Sequence, residues 1–283
     1  MAADNFTIRT MTRDDLNIAV NWAAAEGWNP GLYDADTYYT ADPSGFFIGE
    51  IGNKPVATIS AVKYGGRFGF LGFFIVSPAY RGNGYGRQIW HTAIDYLGGM
   101  NIGLDGVVAQ QENYKKFGFK LAHRNMRYEG LSGGELPDNV NLVKLADLPF
   151  DIVASYDRAF FPADRSTFIE HWINQPESQA LGIMQDDQLT AYGVIRKCLR
   201  GYKIGPLFAD TPELAEQLFL ALKASVTPAE PVYLDVPAIN TQAVALAQRH
   251  HMTIMFETAR MYTMELPDIS LNRTFGVTSF ELG

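Results

Sequence analysis

The chain lacks features that several protein classes require. Its single cysteine, Cys198, has no partner within the chain, so no internal disulfide is expected. There is no basic leader followed by an apolar run, and no apolar stretch is long enough to span a bilayer. Positive charge is scarce, and a formal net charge of −8 argues against nonspecific nucleic-acid binding. We therefore expect a cytoplasmic protein with no nucleic-acid or membrane partner.

The length and the apolar content indicate a folded protein. With 283 residues, 47% of them hydrophobic, the chain can bury one large core or two ordinary ones, and it is too apolar for a disordered protein. We expect two domains.

The most informative segment is FFIVSPAYRGNGYGRQIW, residues 73–90. An apolar strand leads into a glycine-rich loop, residues 81–86, and then into an amphipathic helix with Arg87 in its first turn. Glycines allow consecutive backbone N–H groups to turn toward one point, and the helix N-terminus adds a partial positive charge. This arrangement predicts an anion site suited to a pyrophosphate.

The spacing of the glycines separates the ligand classes. A loop that binds nucleoside triphosphates ends in Lys-Ser or Lys-Thr, whereas Gly86 is followed by Arg87 and Gln88. A dinucleotide-binding turn needs G-x-G-x-x-G directly after the strand, but residues 77–81 intervene and Arg87 stands at the third glycine position. NTP hydrolysis and NAD-dependent redox chemistry are therefore disfavoured, and Asp105 matches the spacing of a ribose ligand only by coincidence.

The remaining pattern, Arg-x-x-Gly-x-Gly after a strand ending in Val76-Ser77-Pro78, resembles motif A of the GNAT superfamily of N-acetyltransferases. The resemblance implies acetyl-CoA as co-substrate, with its pyrophosphate on the loop amides and its pantetheine arm along the end of the strand. The implied cofactor-binding residues are Ile75, Val76, Arg81, Gly82, Asn83, Gly84, Tyr85, Gly86, Arg87, Asn113 and Phe117.

A second segment, Asn113-Tyr-Lys-Lys-Phe-Gly-Phe119, is similar to the Tyr-x-x-x-Gly-Phe that ends motif B of the family. The resemblance implies that Tyr114 is the general acid. A departing thiolate, with a reference pKa of ~8.5, recaptures the acyl group unless it is protonated, and a phenol of pKa ~10 can supply that proton. The alternative is that Tyr114 and Phe117 only pack a short helix.

Two positions depart from the family pattern. Val108 stands where many members have an Asn that binds pantetheine, and Asn113 is the candidate substitute. The strand at 67–76 lacks the Glu that often serves as general base.

A base is needed because an alkyl ammonium has a pKa of ~10.4, so freeing the neutral amine at pH 7 costs about 4.6 kcal/mol. The candidate is Glu26, on the loop after the first predicted helix, with Asp105 and Glu112 as alternatives. Trp28 and Tyr33 on the following loop are candidates to line the amine's apolar body.

The apolar periodicity gives the same order of elements twice. In the first half we predict strands and helices at 6–9, 12–15 onward, 34–40, 46–51, 55–64, 68–76, 87–97, 102–107 and 122–128. In the second half we predict them at 141–144, 150–160, 165–173, 180–184, 190–195, 203–208, 211–222, 232–236, 241–250 and 253–265. The polar, glycine-rich segment 130–138 between the halves is interpreted as a linker. The predicted domains are 1–130 and 139–283.

The two halves differ where the cofactor would bind. Residues 205–210, GPLFAD, bring a proline and an Asp to the place of the glycine loop, so the second half is predicted to bind no CoA. The chain thus resembles tandem GNAT proteins with a degenerate second copy. The implied fold is α/β (α+β), with two GNAT-like domains, each a mixed, mostly antiparallel sheet flanked by helices.

Two further positions in the second half have open interpretations. Asp235 and Asn240 either face a cleft between the domains, or Asn240 simply caps the helix that starts at Thr241. His250 and His251 have no spaced ligand nearby, so no metal site is expected.

These observations favour an acetyl-CoA-dependent N-acetyltransferase that acts on a primary amine of a small molecule or peptide. The alternative is an inactive CoA-binding sensor or scaffold. The sequence leaves the acceptor, the base and the oligomeric state open.

Overall fold

The computed structural model describes residues 6–138 and 140–283. Asn139, at which the second predicted domain begins, and residues 1–5 of the first lie outside the described residues. Within the described ranges the chain forms thirteen strands and eight α-helices.

The order of elements predicted for the first half is confirmed. A capping box between Thr12 and Asp15 starts the first helix, and positive φ at Gly52 and Asn53 makes the tight turn between the second and third strands. The elements are β1 (Phe6–Thr10), α1 (Arg13–Ala25), α2 (Asp34–Ala41), β2 (Phe46–Ile51), β3 (Lys54–Tyr64), β4 (Phe68–Val76), α3 (Tyr85–Leu97), β5 (Asn101–Val107), α4 (Gln111–Lys116) and β6 (Lys120–Leu131).

The second half repeats this order, as predicted, and adds one strand that the periodicity did not indicate. The Thr211 hydroxyl caps the longest helix of this half, as its position before Pro212 and Glu213 suggests. The elements are β7 (Leu142–Lys144), α5 (Phe150–Asp157), α6 (Ser166–Trp172), β8 (Ser178–Gln185), β9 (Gln188–Lys197), β10 (Tyr202–Ala209), α7 (Pro212–Ala224), β11 (Pro231–Pro237), α8 (Thr241–Arg249), β12 (Thr253–Tyr262) and the additional β13 (Thr274–Gly276).

All of these strands belong to one sheet. Its order is β1-β2-β3-β4-β5-β12-β6-β11-β10-β9-β8-β7, and β13 pairs with β10. The pairs β4–β5 and β10–β11 are parallel, and the other pairs are antiparallel. The mixed, mostly antiparallel class is confirmed, but the sheets of the two halves are continuous.

The continuity arises because the halves exchange their last long strands. Strand β12 of the second half lies between β5 and β6, and β6 of the first half lies between β12 and β11. Each exchanged strand carries an arginine opposite an aspartate of the other half, in the registers Arg127↔Asp235 and Arg260↔Asp105. Both pairs are buried ion pairs, with shortest N–O distances of 2.6 Å.

The strand exchange also shortens the predicted linker. Gly130 and Leu131 extend β6 and pair with Val232 and Pro231 of β11. Ser132 is buried, and its hydroxyl donates to the Thr227 carbonyl at 2.6 Å. The linker prediction was therefore wrong for these three residues, because their small, polar composition does not reveal that a neighbouring strand pairs with them.

The apolar core has three parts. One lies beneath α3 in the first half, and one lies beneath α7 and α8 in the second. The third is shared, because it combines Tyr38 and Phe73 of the first half with Trp172 and Tyr192 of the second, all of them buried. The two halves are joined both by strand pairing and by a common core.

Candidate active site

A cleft opens in the first half where two parallel strands separate. Strands β4 and β5 pair from Phe68↔Asn101 to Leu71↔Leu104 and then diverge. The pairing of β3 with β4 shifts register at this level, Phe73 takes a φ of 48°, and the Thr58 hydroxyl donates to the Phe73 carbonyl at 2.8 Å. This bulge bends β4 away from β5 and leaves room between the strand ends.

The cleft contains a cavity of ≈ 390 Å³. The first half supplies most of its wall, but the second half supplies Phe256 and Thr258 from β12 and Phe280 and Glu281 from the segment after β13. The remaining lining residues are Glu26, Trp28, Leu71 to Val76, Arg81, Trp90, Leu104 to Val107, Gln110 and Tyr114.

The glycine loop lies at the surface beside the mouth of the cavity. Gly82 and Gly84 both have a φ of 83°, and no atom lies within 4 Å of the place where a Cβ would stand. Gly84 precedes α3, and no side chain of the described residues caps this helix, so N–H groups of its first turn are available to an anion. The geometry fits the pyrophosphate cradle that the sequence predicts.

Position 86 suits glycine for a different reason, because neighbouring side chains occupy the space over its Cα. A Cβ there would lie 3.1 Å from Val76 Cγ2 and 3.4 Å from Phe74 Cζ. The missing side chain lets the start of α3 approach β4 closely, which brings the helix N-terminus near the end of the strand.

Three predicted site residues meet at the mouth of the cavity. Arg81 donates from Nε to the Val76 carbonyl at 2.9 Å and from Nη2 to Glu26 Oε1 at 2.5 Å. Both charged side chains are partly exposed, at 52% and 37%. The structure thus brings Glu26, Val76 and Arg81 together beside the cavity.

Other predicted cofactor residues lie outside the cavity lining. The Tyr85 ring contacts Phe6 at 4.7 Å between centroids, and Phe117 packs 5.0 Å from Trp90. The remaining polar ones make local hydrogen bonds: Asn83 donates to the Tyr80 and Arg81 carbonyls, Arg87 contacts His91, and Asn113 donates to Gln110 Oε1. Gln110, which the sequence did not single out, lines the cavity in their place.

Tyr114 lines the cavity and is held by packing. Its ring lies directly over Gly106, where a Cβ would be 2.2 Å from Tyr114 Cε2, and it stacks 5.7 Å from Trp90. Burial raises the pKa of Tyr114 to about 12. The packing role and the cavity-facing role considered from the sequence therefore coexist, and the phenol stays protonated at neutral pH.

Three carboxylates line the cavity, and their surroundings differ. Glu26 is paired with Arg81, as described. Asp105 is buried and accepts hydrogen bonds from Arg260 on both oxygens and from Asn125 Nδ2. Burial raises the pKa of Asp105 despite the Arg260 charge. Glu112, the other sequence candidate, is exposed, pairs with Lys115 and lies outside the lining.

The third carboxylate, Glu281, was missed by the sequence analysis. Its Oε2 accepts a hydrogen bond from the Tyr38 hydroxyl at 3.2 Å, and the side chain is buried. Its backbone oxygen crosses β4 so closely that a Cβ on Gly72 would lie 2.0 Å away. The available signal was an apolar pattern at Phe275, Val277 and Phe280, which indicates burial but does not indicate which cleft is reached.

In the second half, the corresponding gap is filled by the chain itself. Strands β10 and β11 pair from Tyr202↔Val232 to Ile204↔Leu234 and then separate. Strand β13 enters this gap, pairs with β10 and continues to a hydrogen bond from Val277 N to the Asp235 carbonyl at 2.9 Å.

Asn240 holds β13 in place. Its Oδ1 accepts from the Gln242 and Ala243 amides at the start of α8, and its Nδ2 donates to the Thr274 carbonyl at 2.9 Å. The capping interpretation of Asn240 is confirmed. Asp235 pairs with Arg127, and neither Asp235 nor Asn240 lines the cavity.

Of the two residues predicted to line the apolar body of the amine, only one lies in the cavity. Trp28 lines the cavity, whereas Tyr33 lies outside the lining and donates to Glu177 Oε1 at 3.3 Å. Within residues 6–138 and 140–283, no group of three or more potential metal ligands is found, and no helix has the length and hydropathy needed to cross a bilayer.

Comparison with known proteins agrees with this geometry in both halves. The profile of the acetyltransferase (GNAT) family matches residues 11–119, and that of an acetyltransferase (GNAT) domain matches residues 153–276. The matched ranges together span most of the chain.

Relatives over the full length point the same way. The chain is 28% identical over 280 residues to a holothin acyltransferase of Pseudoalteromonas sp. (strain SANK 73390), covering 98% of this chain and 95% of the relative. The fold is similar to that of a proposed acetyltransferase from Pyrococcus horikoshii, at a TM-score of 0.83 and 22% identity over 100% of this chain and 98% of the other. It is also similar to a tandem GNAT protein from the clavulanic acid biosynthesis pathway, at a TM-score of 0.65 and 12% identity over 91% and 98%. The chain therefore belongs to the GNAT superfamily and is an acyltransferase with two GNAT domains.

Proposed function

We propose that the protein transfers an acetyl group from acetyl-CoA to a primary amine, with the cofactor and the acceptor both bound in the first-half cleft. The observation that carries this proposal is one cavity whose lining includes Val76 and Arg81 beside the glycine loop and also the Tyr114 ring. An anion site and a protonated phenol thus lie along the same cleft.

The first-half residues fit a CoA thioester. Gly82 and Gly84 leave open space over their Cα atoms, and the uncapped start of α3 suits a pyrophosphate. Ile75 and Val76, at the diverging end of β4, are positioned to contact the pantetheine arm. When bound, the thioester supplies an activated acyl group and a thiolate leaving group.

We assign the proton donor role to Tyr114. Its raised pKa, about 12, keeps the hydroxyl protonated at the pH at which an amine is acylated. The phenol gives its proton to the departing sulfur, which prevents the thiolate from recapturing the acyl group. For the proton acceptor, Glu26 is the candidate from the sequence, and Glu281 is added by the structure.

Names of similar proteins favour a small-molecule acceptor over a peptide. One relative is named for the acylation of holothin, and one structural neighbour is assigned to clavulanic acid biosynthesis. Cytoplasmic residence remains a prediction from the sequence.

Two substitutions test these roles. Gly84→Asp places a side chain and a negative charge in the cradle and should abolish CoA binding in calorimetry. Tyr114→Phe should leave the Kd for CoA within about twofold and slow thiol release from acetyl-CoA by ~10²- to 10⁴-fold. Gly65→Asp is the matched control, because Gly65 also has a positive φ, 64°, and open space over its Cα but lies in the turn before β4.

Two outcomes would contradict the proposal. If Tyr114→Phe weakened CoA binding as much as Gly84→Asp, the phenol would be a binding group and not the acid. If CoA bound tightly but no amine in a broad panel released thiol, the protein would be a CoA-binding sensor or scaffold.

A further inference from the structure

The segment 274–283 links the two halves of the molecule. Every residue in it is buried. It starts as β13 in the gap between β10 and β11 and then crosses to the first-half cleft, where Phe280 and Glu281 line the cavity. A segment of the second half thus completes the site of the first.

Several hydrogen bonds hold the end of this segment in place. The Tyr64 hydroxyl donates to the Leu282 carbonyl at 3.1 Å, and Arg165 Nη1 donates to the Thr278 hydroxyl at 3.1 Å and to the Gly283 carbonyl at 3.2 Å. The close approach of the Glu281 backbone to Gly72 adds a steric constraint. Glu281 is therefore presented to the cavity by a fixed backbone.

The Glu281 carboxylate is only partly satisfied. Among residues 6–138 and 140–283, the Tyr38 hydroxyl is the hydrogen-bond donor within reach of it, 3.2 Å from Oε2, and the one proton of this hydroxyl is shared with Asp34 Oδ2 at 3.3 Å. The pKa of Tyr38 is raised well above its ordinary value by burial and by the neighbouring charges of Asp34 and Glu281, so the hydroxyl remains a donor. Oε1 receives no hydrogen bond from the described residues and is available to a ligand in the cavity.

The other two carboxylates in the lining form ion pairs with arginines. Both oxygens of Asp105 accept hydrogen bonds from Arg260, and Glu26 is tied to Arg81 at the mouth of the cavity. Glu281 alone of the three has no cationic hydrogen-bond partner in the described residues, and the Arg127 and Lys203 charges act on it only through space.

The wall beside Glu281 is aromatic. Trp28, Phe256 and Phe280 come from three different segments and line the same cavity. The Arg127 guanidinium lies 5.0 Å from the Phe280 ring centroid and donates to the Trp28 carbonyl at 2.6 Å, which fixes two of these segments relative to each other. An apolar wall with one carboxylate suits a primary amine that has an aromatic body.

We propose that Glu281 binds the acceptor amine and takes its proton, and that the acceptor is an aromatic-bodied primary amine held against Trp28, Phe256 and Phe280. This inference rests on the proposed function. In the transfer, the amine nitrogen forms a bond to the acyl carbon as the C–S bond of the CoA thioester breaks. The bound ammonium loses two protons in all: the first passes through Glu281 to solvent and frees the neutral amine before attack, and the second passes to Glu281 during the transfer. The Tyr114 proton passes to the leaving sulfur, so that amide and thiol are released. Solvent then restores the proton to Tyr114 and removes the proton from Glu281.

Glu281→Gln is the sharpest test, because glutamine keeps an acceptor for the Tyr38 hydroxyl and removes the basic oxygen. With 2-phenylethylamine as acceptor, we expect a ~10²- to 10⁴-fold lower kcat. Calorimetry of 2-phenylethylamine with the CoA-bound protein should give a Kd at least ~10-fold higher, since the ammonium loses its counter-charge. The Kd for CoA should not change. Glu281→Asp should retain part of the activity, and Glu257→Gln, an exposed change on β12, is the matched control.

The outcomes separate this inference from the proposed function. Turnover of 2-phenylethylamine by Glu281→Gln within threefold of the unsubstituted protein would overturn the role of Glu281. A loss confined to Glu26→Gln would assign the proton to Glu26 and also overturn it. If the unsubstituted protein acetylates putrescine and not 2-phenylethylamine, the proposed function stands and the aromatic acceptor is wrong. If it acetylates no amine, the binding measurement decides: equal Kd values for both proteins, or no binding by either, would overturn the inference.

Discussion

At the scale of single residues, the site depends on two glycines whose missing side chains leave space for other groups. Gly106 has no side chain, and the Tyr114 ring occupies the space that a Cβ would take. Gly72 likewise makes room for the backbone of Glu281. The sequence predicted the roles of the glycines in the loop at 81–86. Gly106 and Gly72 instead lie within strands, and the Tyr114 ring and the Glu281 backbone come close to them only when the chain folds.

Gly106→Ala should impair catalysis and leave binding intact. The new methyl group would stand 2.2 Å from the Tyr114 ring, so the phenol must move. We expect kcat to fall ~10²-fold, the effect of a catalytic group displaced by about 1 Å, with an unchanged Kd for CoA. Steady-state kinetics and calorimetry measure both, and Gly66→Ala serves as control because its Cβ meets no atom within 4 Å. Normal kcat in Gly106→Ala would show that the position of the ring does not matter.

As the pH rises, kcat should not decline near the pKa of an ordinary phenol. Tyr114 donates only when it is protonated, and burial raises its pKa to about 12. An unperturbed tyrosine would instead lose its proton near pH ~10. We expect kcat to hold or rise between pH ~7 and ~10.5 as the acceptor amine deprotonates. A decline centred near pH ~10, in a protein that circular dichroism shows to be folded, would contradict the shifted pKa.

At the scale of elements, the strand exchange places two ion pairs between the halves. Arg127 on β6 meets Asp235 on β11, and Arg260 on β12 meets Asp105 on β5. Each pair lies in register across two strands that are far apart in sequence. The sequence located these strands well, but a strand pattern specifies which face is buried and not which strand lies beside it.

Asp235→Ala should reduce the free energy of unfolding by about 3–5 kcal/mol, because it leaves the Arg127 charge buried without its partner. The side chains of this pair are only 4% and 2% exposed. Arg200→Ala is the control, since it breaks the bridge from Arg200, in the turn between β9 and β10, to Glu129 on β6; Arg200 is 62% exposed, and the change should cost less than ~1 kcal/mol. Urea unfolding followed by fluorescence measures both. Equal costs would contradict the importance of burial.

At the scale of the whole molecule, the two halves form one structural unit. They share a sheet, a central core that contains Tyr38 and Trp172, and the segment 274–283. We therefore propose that 1–130 and 139–283 are repeats of one order of elements that do not fold separately. The second half has filled its own gap with β13, and its contribution is to complete the cleft of the first.

The protein should unfold in a single cooperative transition. Removing either half would expose the pairing edges of β6 and β12 and open the shared core, so neither half is expected to persist alone. Differential scanning calorimetry should give one peak, and far-UV circular dichroism and tryptophan fluorescence should report the same midpoint. Two resolved transitions would show that the halves are independent domains.

The sequence by itself determined the local structure and the family: the helices and strands and the glycine loop before α3, because capping, periodicity and loop spacing act over a few residues. It also singled out Tyr114, whose role as the acid stays a prediction. Only the tertiary structure decided which strands are neighbours, that the second gap is closed by β13, and that Glu281 reaches the first-half cavity. These features depend on contacts between residues far apart in the chain. Such contacts leave no local pattern, because an apolar strand can pair with many other strands and a buried charge can pair with many opposite charges.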